Sequence, residues 1–274
     1  MLLIALALAA CSDKQKSLKI TGSTTVNLPV VEAVETLRSK HNLKIFVDTQ
    51  GGSSGGISAI GEGTADIGMA SKPLIKKDHD RFPNVELITT TIGSDAVALV
   101  VAPDVYNGGV KSLTKKQIQD IYEKKVSNWN QLGGSDQPIV FYNKEPGRGT
   151  WEVFAKYLYG KAKNAPEVSH PEVGANEEAR TKVSTTPGAI TQLSVAWADN
   201  ETIFALNLID EQGTPVAPTR ENIAKQIYPM SRPLNLITQG EPTGDIKMIV
   251  DYLLSPEGQS LVEKHGYLPL PDAK

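Results

Sequence analysis

Three short stretches of this 274-residue chain pair glycine with side-chain hydroxyls: Gly22-Ser23-Thr24-Thr25, the run GGSSGG from Gly51 to Gly56, and Gly147-Arg148-Gly149-Thr150. Each follows a strand-like run (LKIT, LKIFVDTQ, PIVFYNKEP) and precedes a helix-like one (VNLPVVEAVETL, ISAIGEG, WEVFAKYLYG). A helix start presents unpaired N–H groups and the positive end of its dipole, so such loops suit anions. Serine and threonine there either cap the helix or donate hydroxyl hydrogen bonds to a ligand. For one loop capping is the simpler reading. Three in one chain favour a shared anion site, because ligands of open α/β sheets sit beyond the carboxyl ends of the strands.

A nucleophilic reading competes at the second loop. Gly51-Gly52-Ser53-Ser54-Gly55 matches GxSxG between a strand and a helix, the setting of a serine hydrolase with Ser53 as nucleophile. That chemistry also needs a histidine base and an acid. His79, His170 and His265 lie in polar or terminal contexts without an accompanying signature, and His41 reads as a polar helix-end residue. The four histidines lack metal-ligand spacing and the single cysteine excludes a zinc pattern, so neither a metal nor a cofactor is expected. With no GxxxxGK[ST] loop, nucleotide hydrolysis has no support.

Asp66, in TADIGMASKP, opens a short apolar strand expected to run to the sheet end that carries the glycine loops. A carboxylate beside an anion is useful only if the anion carries a hydrogen. Ionised aspartate can only accept, phosphate keeps a hydrogen near neutral pH, and sulfate has none to give. The plainer alternative is a solvated loop carboxylate.

These residues need a scaffold, and the composition supplies one: 40% hydrophobic and 22% charged is ordinary globular content. The net charge of −3 offers no basic excess for a nucleic-acid backbone. Alternating strand-like and helix-like runs indicate an α/β fold. Val30, Val31, Val34 and Leu37 share one helical face, as do Trp151, Phe154, Ala155 and Leu158. IGSDAVALVVAP reads as a buried crossover strand and PMSRPLNLIT as the return crossover. Thr114-Lys115-Lys116-Gln117 is a capping box, the polar stretch 164–180 a loop or irregular helix start, and Ser255-Pro256 opens a last helix that Gly266 closes. Trp129, Trp151 and Trp197 are expected in the core. The N-terminal run MLLIALALAA is too short to span a bilayer and ends in small residues before Cys11; Leu8-Ala9-Ala10-Cys11 looks like a bacterial lipobox, although no Lys or Arg precedes the run.

GSTTV, GGSSGGI, ADIGMAS, IYEKKVSNWNQLGG, GRGT, PTRENIAKQIYPMSRPL and LSPEGQSLVEKHGYLPL together resemble the phosphate-binding lipoproteins of high-affinity phosphate ABC importers, over nearly the whole mature chain. The resemblance implies a two-lobe periplasmic-binding-protein type II fold, each lobe a mixed, mainly parallel sheet flanked by helices, with phosphate in the interlobe cleft and no covalent chemistry. It implies a signal and tether over 1–17, a first lobe from 18–95 and 229–274, and a second lobe over 96–228. Thr24 and Thr25 match first-loop donors, Ser53 the second-loop donor, Asp66 the acceptor of the phosphate hydrogen, and Gly149 and Thr150 the end of the third loop. Lys144 stands where the family usually has arginine, and Arg148 where it has serine. Arg148 either takes over the charge-assisted contact or points outward from the surface, and Glu145 can pair with either cation. The expected partners are inorganic phosphate, an ABC permease, and the membrane through lipid on Cys11, with the protein a periplasmic or cell-surface monomer. A receptor for another oxyanion is the related alternative.

Overall fold

The structure, a computed structural model, describes residues 17–271. The lipidation reading at Cys11 and nearly all of the proposed signal lie outside those residues. From the amino end come β1 (Leu18–Gly22), α1 (Asn27–His41), β2 (Ile45–Val47), α2 (Gly52–Gly61), β3 (Ile67–Ala70), α3 (Lys76–Arg81) and the long β4 (Leu87–Val101). A second group follows: α4 (Pro103–Asn107), β5 (Ser112–Thr114), α5 (Lys115–Tyr122), β6 (Val140–Lys144), α6 (Gly149–Tyr159), β7 (Glu172–Val173), α7 (Asn176–Thr185), β8 (Ala189–Ser194), β9 (Phe204–Ala205), β10 (Asn207–Ile209), β11 (Pro215–Val216) and α8 (Arg220–Ala224). The chain then returns through β12 (Ser231–Gln239) to α9 (Gly244–Leu254) and α10 (Pro256–Lys264).

The main sheet runs β2-β1-β3-β12-β4-β8-β6-β7, with β9 also paired to β4; β11-β10-β5 form a small separate sheet. β2, β1 and β3 are parallel, as are β8, β6 and β7, while β12 and β4 are antiparallel to their neighbours. The first part of β4, Leu87 to Ala96, pairs with β12, and its last part, Val97 to Val101, pairs with β8. One strand therefore belongs to both halves of the molecule. Burial follows this division: one core gathers Ile20, Val34, Met69, Ile92, Leu234 and Leu253, and another gathers Val97 to Val101, Phe141, Phe154, Ile190 and Met230. This is the two-lobe α/β arrangement.

The helices sit as their sequences dictate. Val30, Ala33, Val34 and Leu37 of α1 are buried, each large side chain contributing about 1.5–3 kcal/mol by leaving water. Val31 is only partly buried, at the margin of that face. The capping box at Thr114 forms: its side chain accepts from Gln117 N, and Gln117 Oε1 accepts from Thr114 N. Trp129 is buried with Nε1 donating to Gly188 O, whereas Trp151 and Trp197 are half-buried. The polar stretch 164–180 resolves into β7 and the start of α7.

Candidate functional site

The parallel strands β1 and β3 and the parallel strand β6 all end facing the seam between the lobes. The residues just beyond those ends enclose a single buried cavity lined by Ser23, Thr24, Thr25, Gly52, Ser53, Ser71, Lys144, Arg148, Gly149, Thr150, Gly174 and Asn176. All three glycine loops thus meet, although they lie up to about 130 residues apart in sequence. The cavity spans about 10 Å³, roughly the space of one water molecule. A larger cavity of about 250 Å³ lies elsewhere on the seam, between Ser94, Val195, Pro218, Arg220 and Leu268, and touches none of the loops.

Glycine is required where the loops of the two lobes crowd one another. Gly52 has φ +59, and a Cβ there would fall 2.6 Å from Arg148 Cδ. A Cβ on Gly149 would fall 2.6 Å from Ser53 Oγ and 2.7 Å from Ser71 Oγ.

The hydroxyls are oriented by groups behind them. Thr25 Oγ1 accepts from Asn176 Nδ2 (3.0 Å) and from Arg232 Nη2 (3.1 Å). A hydroxyl has two acceptor positions and one hydrogen, so Thr25 is left with its hydrogen to offer. Thr150 Oγ1 accepts from Arg232 Nη1 at 2.8 Å. Ser53 is fully buried and its Oγ accepts from Ser71 N at 3.0 Å. Ser23 Oγ accepts from Thr25 N and Val26 N and donates to Ser71 Oγ at 3.0 Å. Ser23, not a residue of α1 itself, therefore ties down the turn that leads into that helix; α2 likewise starts at Gly51 without a side-chain cap. Ser23 thus serves both the turn and the cavity, whereas Ser53 lines the cavity and Ser54 turns to Glu152 and Lys72.

The cations divide into three kinds. Arg232 is fully buried and paired to Asp95, with Nη2 2.7 Å and Nε 3.0 Å from Oδ2. Burial raises the Asp95 carboxyl above its usual range despite the guanidinium and the Ser194 hydroxyl, which pull it down. Lys144 is fully buried, its Nζ donating to Gly174 O (2.9 Å) and Ala175 O (2.8 Å). Its pKa is lowered to about 7, first by burial and then by Arg148 and Arg232, against an opposing pull from Glu178 and Glu145. Arg148 lies along the cavity wall rather than outward, with Nε and Nη2 donating to Glu145 Oε2 at 2.9 and 2.7 Å. Glu145 thus pairs with Arg148.

Thr24, Thr25, Ser53, Lys144, Arg148, Gly149 and Thr150, all expected from sequence, line the cavity together. Asp66 does not. Its Oδ2 accepts from Lys19 N at 2.8 Å, at the entry of β3 and β1, whereas the cavity lies beyond their exits. The correction has a simple cause: a residue that opens a strand and one that closes it lie at opposite edges of the sheet, and it is Ser71, at the exit, that lines the cavity. Nor does Ser53 meet a histidine; its hydroxyl faces Ser71, and among the described residues no histidine lines the cavity.

Ser23, Ser71, Asn176 and Arg232 were not singled out from sequence. Ser23 and Ser71 sit inside quoted motifs, but Arg232 is 207 residues from Thr25. Its one signal is an arginine in the apolar run PMSRPLNLI, matched by Asp95 in the apolar run IGSDAVALVV.

Comparison with known proteins fits this geometry. The profile of the PBP superfamily domain matches residues 9–257. The phosphate-binding protein PstS of Bacillus subtilis is 30% identical over 260 residues, covering 94% of this chain and 82% of that protein. The structure of a phosphate ABC transporter substrate-binding protein from Clostridium perfringens with bound phosphate is 31% identical with TM-score 0.81, covering 93% of this chain and all of that one. An ABC-type phosphate transport receptor from Vibrio cholerae superposes with TM-score 0.73 at 28% identity, over 93% of this chain and all of the other.

Proposed function

Because the chain belongs to the PBP superfamily, and within it to the phosphate-binding proteins of ABC importers, we propose that it captures inorganic phosphate between its lobes and hands it to an ABC permease. The observation that carries this reading is the enclosure of one buried cavity by hydroxyls, backbone amides and cations drawn from both lobes. Thr24, Thr25, Ser53, Gly149 and Thr150 act as donors, with Ser23, Ser71 and Asn176 beside them. Lys144 and Arg148 supply charge at the wall, and Arg232 supplies it from behind. In a site closed to water, oriented dipoles and hydrogen bonds count for more than net charge, so a chain of net charge −3 can hold an anion.

The binding is non-covalent, and release follows opening of the lobes about the crossovers, β4, which pairs into both halves of the main sheet, and the chain entering β12 beside it. The lobes divide near 95/96 and 228/229. The protein works as a monomer outside the cytoplasmic membrane, held to a lipid surface through Cys11. Among the described residues no helix is long and apolar enough to cross a membrane.

Titration calorimetry with inorganic phosphate tests the function: one saturable site is expected, with no phosphoester or carboxylester turnover. Absence of binding, or esterase activity lost in Ser53→Ala, rejects it. Cys11→Ser should move the protein from the membrane fraction to the soluble extracytoplasmic fraction.

A further inference from the structure

We propose that Lys144 is the group that meets the hydrogen of bound phosphate, so that an amine rather than a carboxylate separates phosphate from sulfate in this protein. The inference rests on reading the cavity as an oxyanion site and goes one step further, to the basis of its selectivity.

Among the described residues, no carboxylate lines the cavity. Asp66 is at the far sheet edge, Glu145 is engaged by Arg148, and Asp95 is engaged by Arg232 and Ser194. Of the hydroxyls, Thr25 Oγ1 already accepts from two donors, while Thr150 Oγ1, held by Arg232, and Ser53 Oγ, held by Ser71 N, each accept from one and keep a single acceptor position. Arginine has no lone pair to give. A hydrogen on a phosphate oxygen needs an acceptor, a buried donor left without one costs about 1–3 kcal/mol, and an amine lone pair is a stronger acceptor than a hydroxyl already holding one donor.

Lys144 can provide it. An ammonium has three N–H donors; a neutral amine keeps two and carries a lone pair in place of the third. Gly174 O and Ala175 O take two positions in either protonation state, which leaves the third for the cavity that Lys144 lines. The groups facing the amine are Arg148 at the start of α6 and Arg232 on β12, which disfavour its charge, and Glu145 after β6 and Glu178 on α7, which favour it. With burial added, the balance falls at about 7, so both forms are accessible near neutral pH.

Above that pH the two anions behave differently. Hydrogen phosphate brings the shared hydrogen with it, as P–O–H···N, and the net proton count does not change. Sulfate brings none, so the amine must first take a proton from solvent to make N–H···O–S. Linkage then predicts that sulfate affinity falls about tenfold for each pH unit above about 7 while phosphate affinity stays nearly level, so selectivity widens with pH.

The test is calorimetry with sodium sulfate and sodium phosphate from pH 6 to 8.5, in two buffers of different ionisation enthalpy so that protons are counted directly. Sulfate binding at pH 6, uptake of close to one proton per sulfate at pH 8, and little or none per phosphate are expected. Lys144→Arg, which keeps a charge at all pH values, should make sulfate affinity independent of pH. Level sulfate affinity across the range, equal proton counts for the two anions, or no sulfate binding at pH 6 while phosphate binds, would each overturn the role of Lys144. Failure of both anions to bind would instead remove the oxyanion site itself.

Discussion

Arg232 and Asp95 form a fully buried ion pair in which Nε and Nη2 of the guanidinium hold the carboxylate, while Nη2 also donates to the Thr25 hydroxyl and Nη1 to that of Thr150. The two partners come from the two crossover strands, opposite one another in the β4–β12 ladder. The pair therefore pins the crossovers together and sets the direction of one hydroxyl from each of two loops.

Arg232→Met should separate those two roles. Loss of the guanidinium leaves the Asp95 carboxyl buried without its cationic partner, at a cost of about 3–5 kcal/mol in urea unfolding, and removes one donor from each of the two hydroxyls. Adding Asp95→Asn should restore much of the stability. Phosphate affinity should stay depressed about 100-fold in the double variant, because each misdirected donor forfeits about 1–1.5 kcal/mol. Recovery of affinity together with stability would mean that Arg232 only supports the fold.

Asp66→Asn should leave phosphate affinity, and the phosphate-to-sulfate ratio, within about twofold of the parent. Its carboxylate holds Lys19 N at the entry edge of the sheet, so the expected loss is about 1 kcal/mol of stability and nothing at the cavity. A changed anion preference, measured by competition calorimetry, would bring Asp66 back to the site.

The rim offers a kinetic prediction. Lys72 and Glu152 form an ion pair across the seam, 2.7 Å apart, shared with Ser54 Oγ, and Ser54 N donates to Gly147 O beside it. These contacts join residues of the two lobes, so opening of the seam would break them. Glu152→Gln should raise the phosphate dissociation rate about fivefold, the effect of about 1 kcal/mol, and leave the association rate nearly unchanged. Stopped-flow fluorescence reports both, and an unaltered dissociation rate would show that the pair does not latch the closed form.

The glycine loops were legible because their signal is local: glycine and hydroxyls between a strand and a helix must lie at a strand's exit, and parallel exits share one edge. The crossovers were legible for the same kind of reason, as apolar runs in which Val97 to Val101 leave no polar face. Asp66 was misplaced by strand direction. β3 carries four residues between Asp66 and Ser71, about 13 Å of extended chain, and it is the exit that faces the guest. Arg232 escaped notice because nothing in the local sequence ties it to Thr25; only the closed sheet brings the return strand beneath the first loop. Asn176 reaches the same hydroxyl from 151 residues away, from the first residue of α7. Local composition tells where a loop stands, while the side chains that orient it arrive through topology.

Lys144 also sets a pH dependence of folding when no anion is bound. Its pKa is about 7 in the folded chain against 10.5 as the unperturbed value, so between these limits the unfolded chain binds more protons than the folded one. Stability then rises with pH from about 7 toward 10, by at most about 1.4 kcal/mol per unit, and levels off below 7, where both states carry the proton and burial of the charged amine opposes folding in full. Urea unfolding at pH 7, 8 and 9 measures the slope, and Lys144→Met, which keeps the length of the side chain but cannot titrate, should reduce it by that amount while raising stability at pH 7. The difference between the two slopes isolates this one side chain from every other titrating group. Identical slopes would mean that the buried amine stays charged throughout, compensated by the carbonyls of Gly174 and Ala175 and the carboxylates of Glu145 and Glu178.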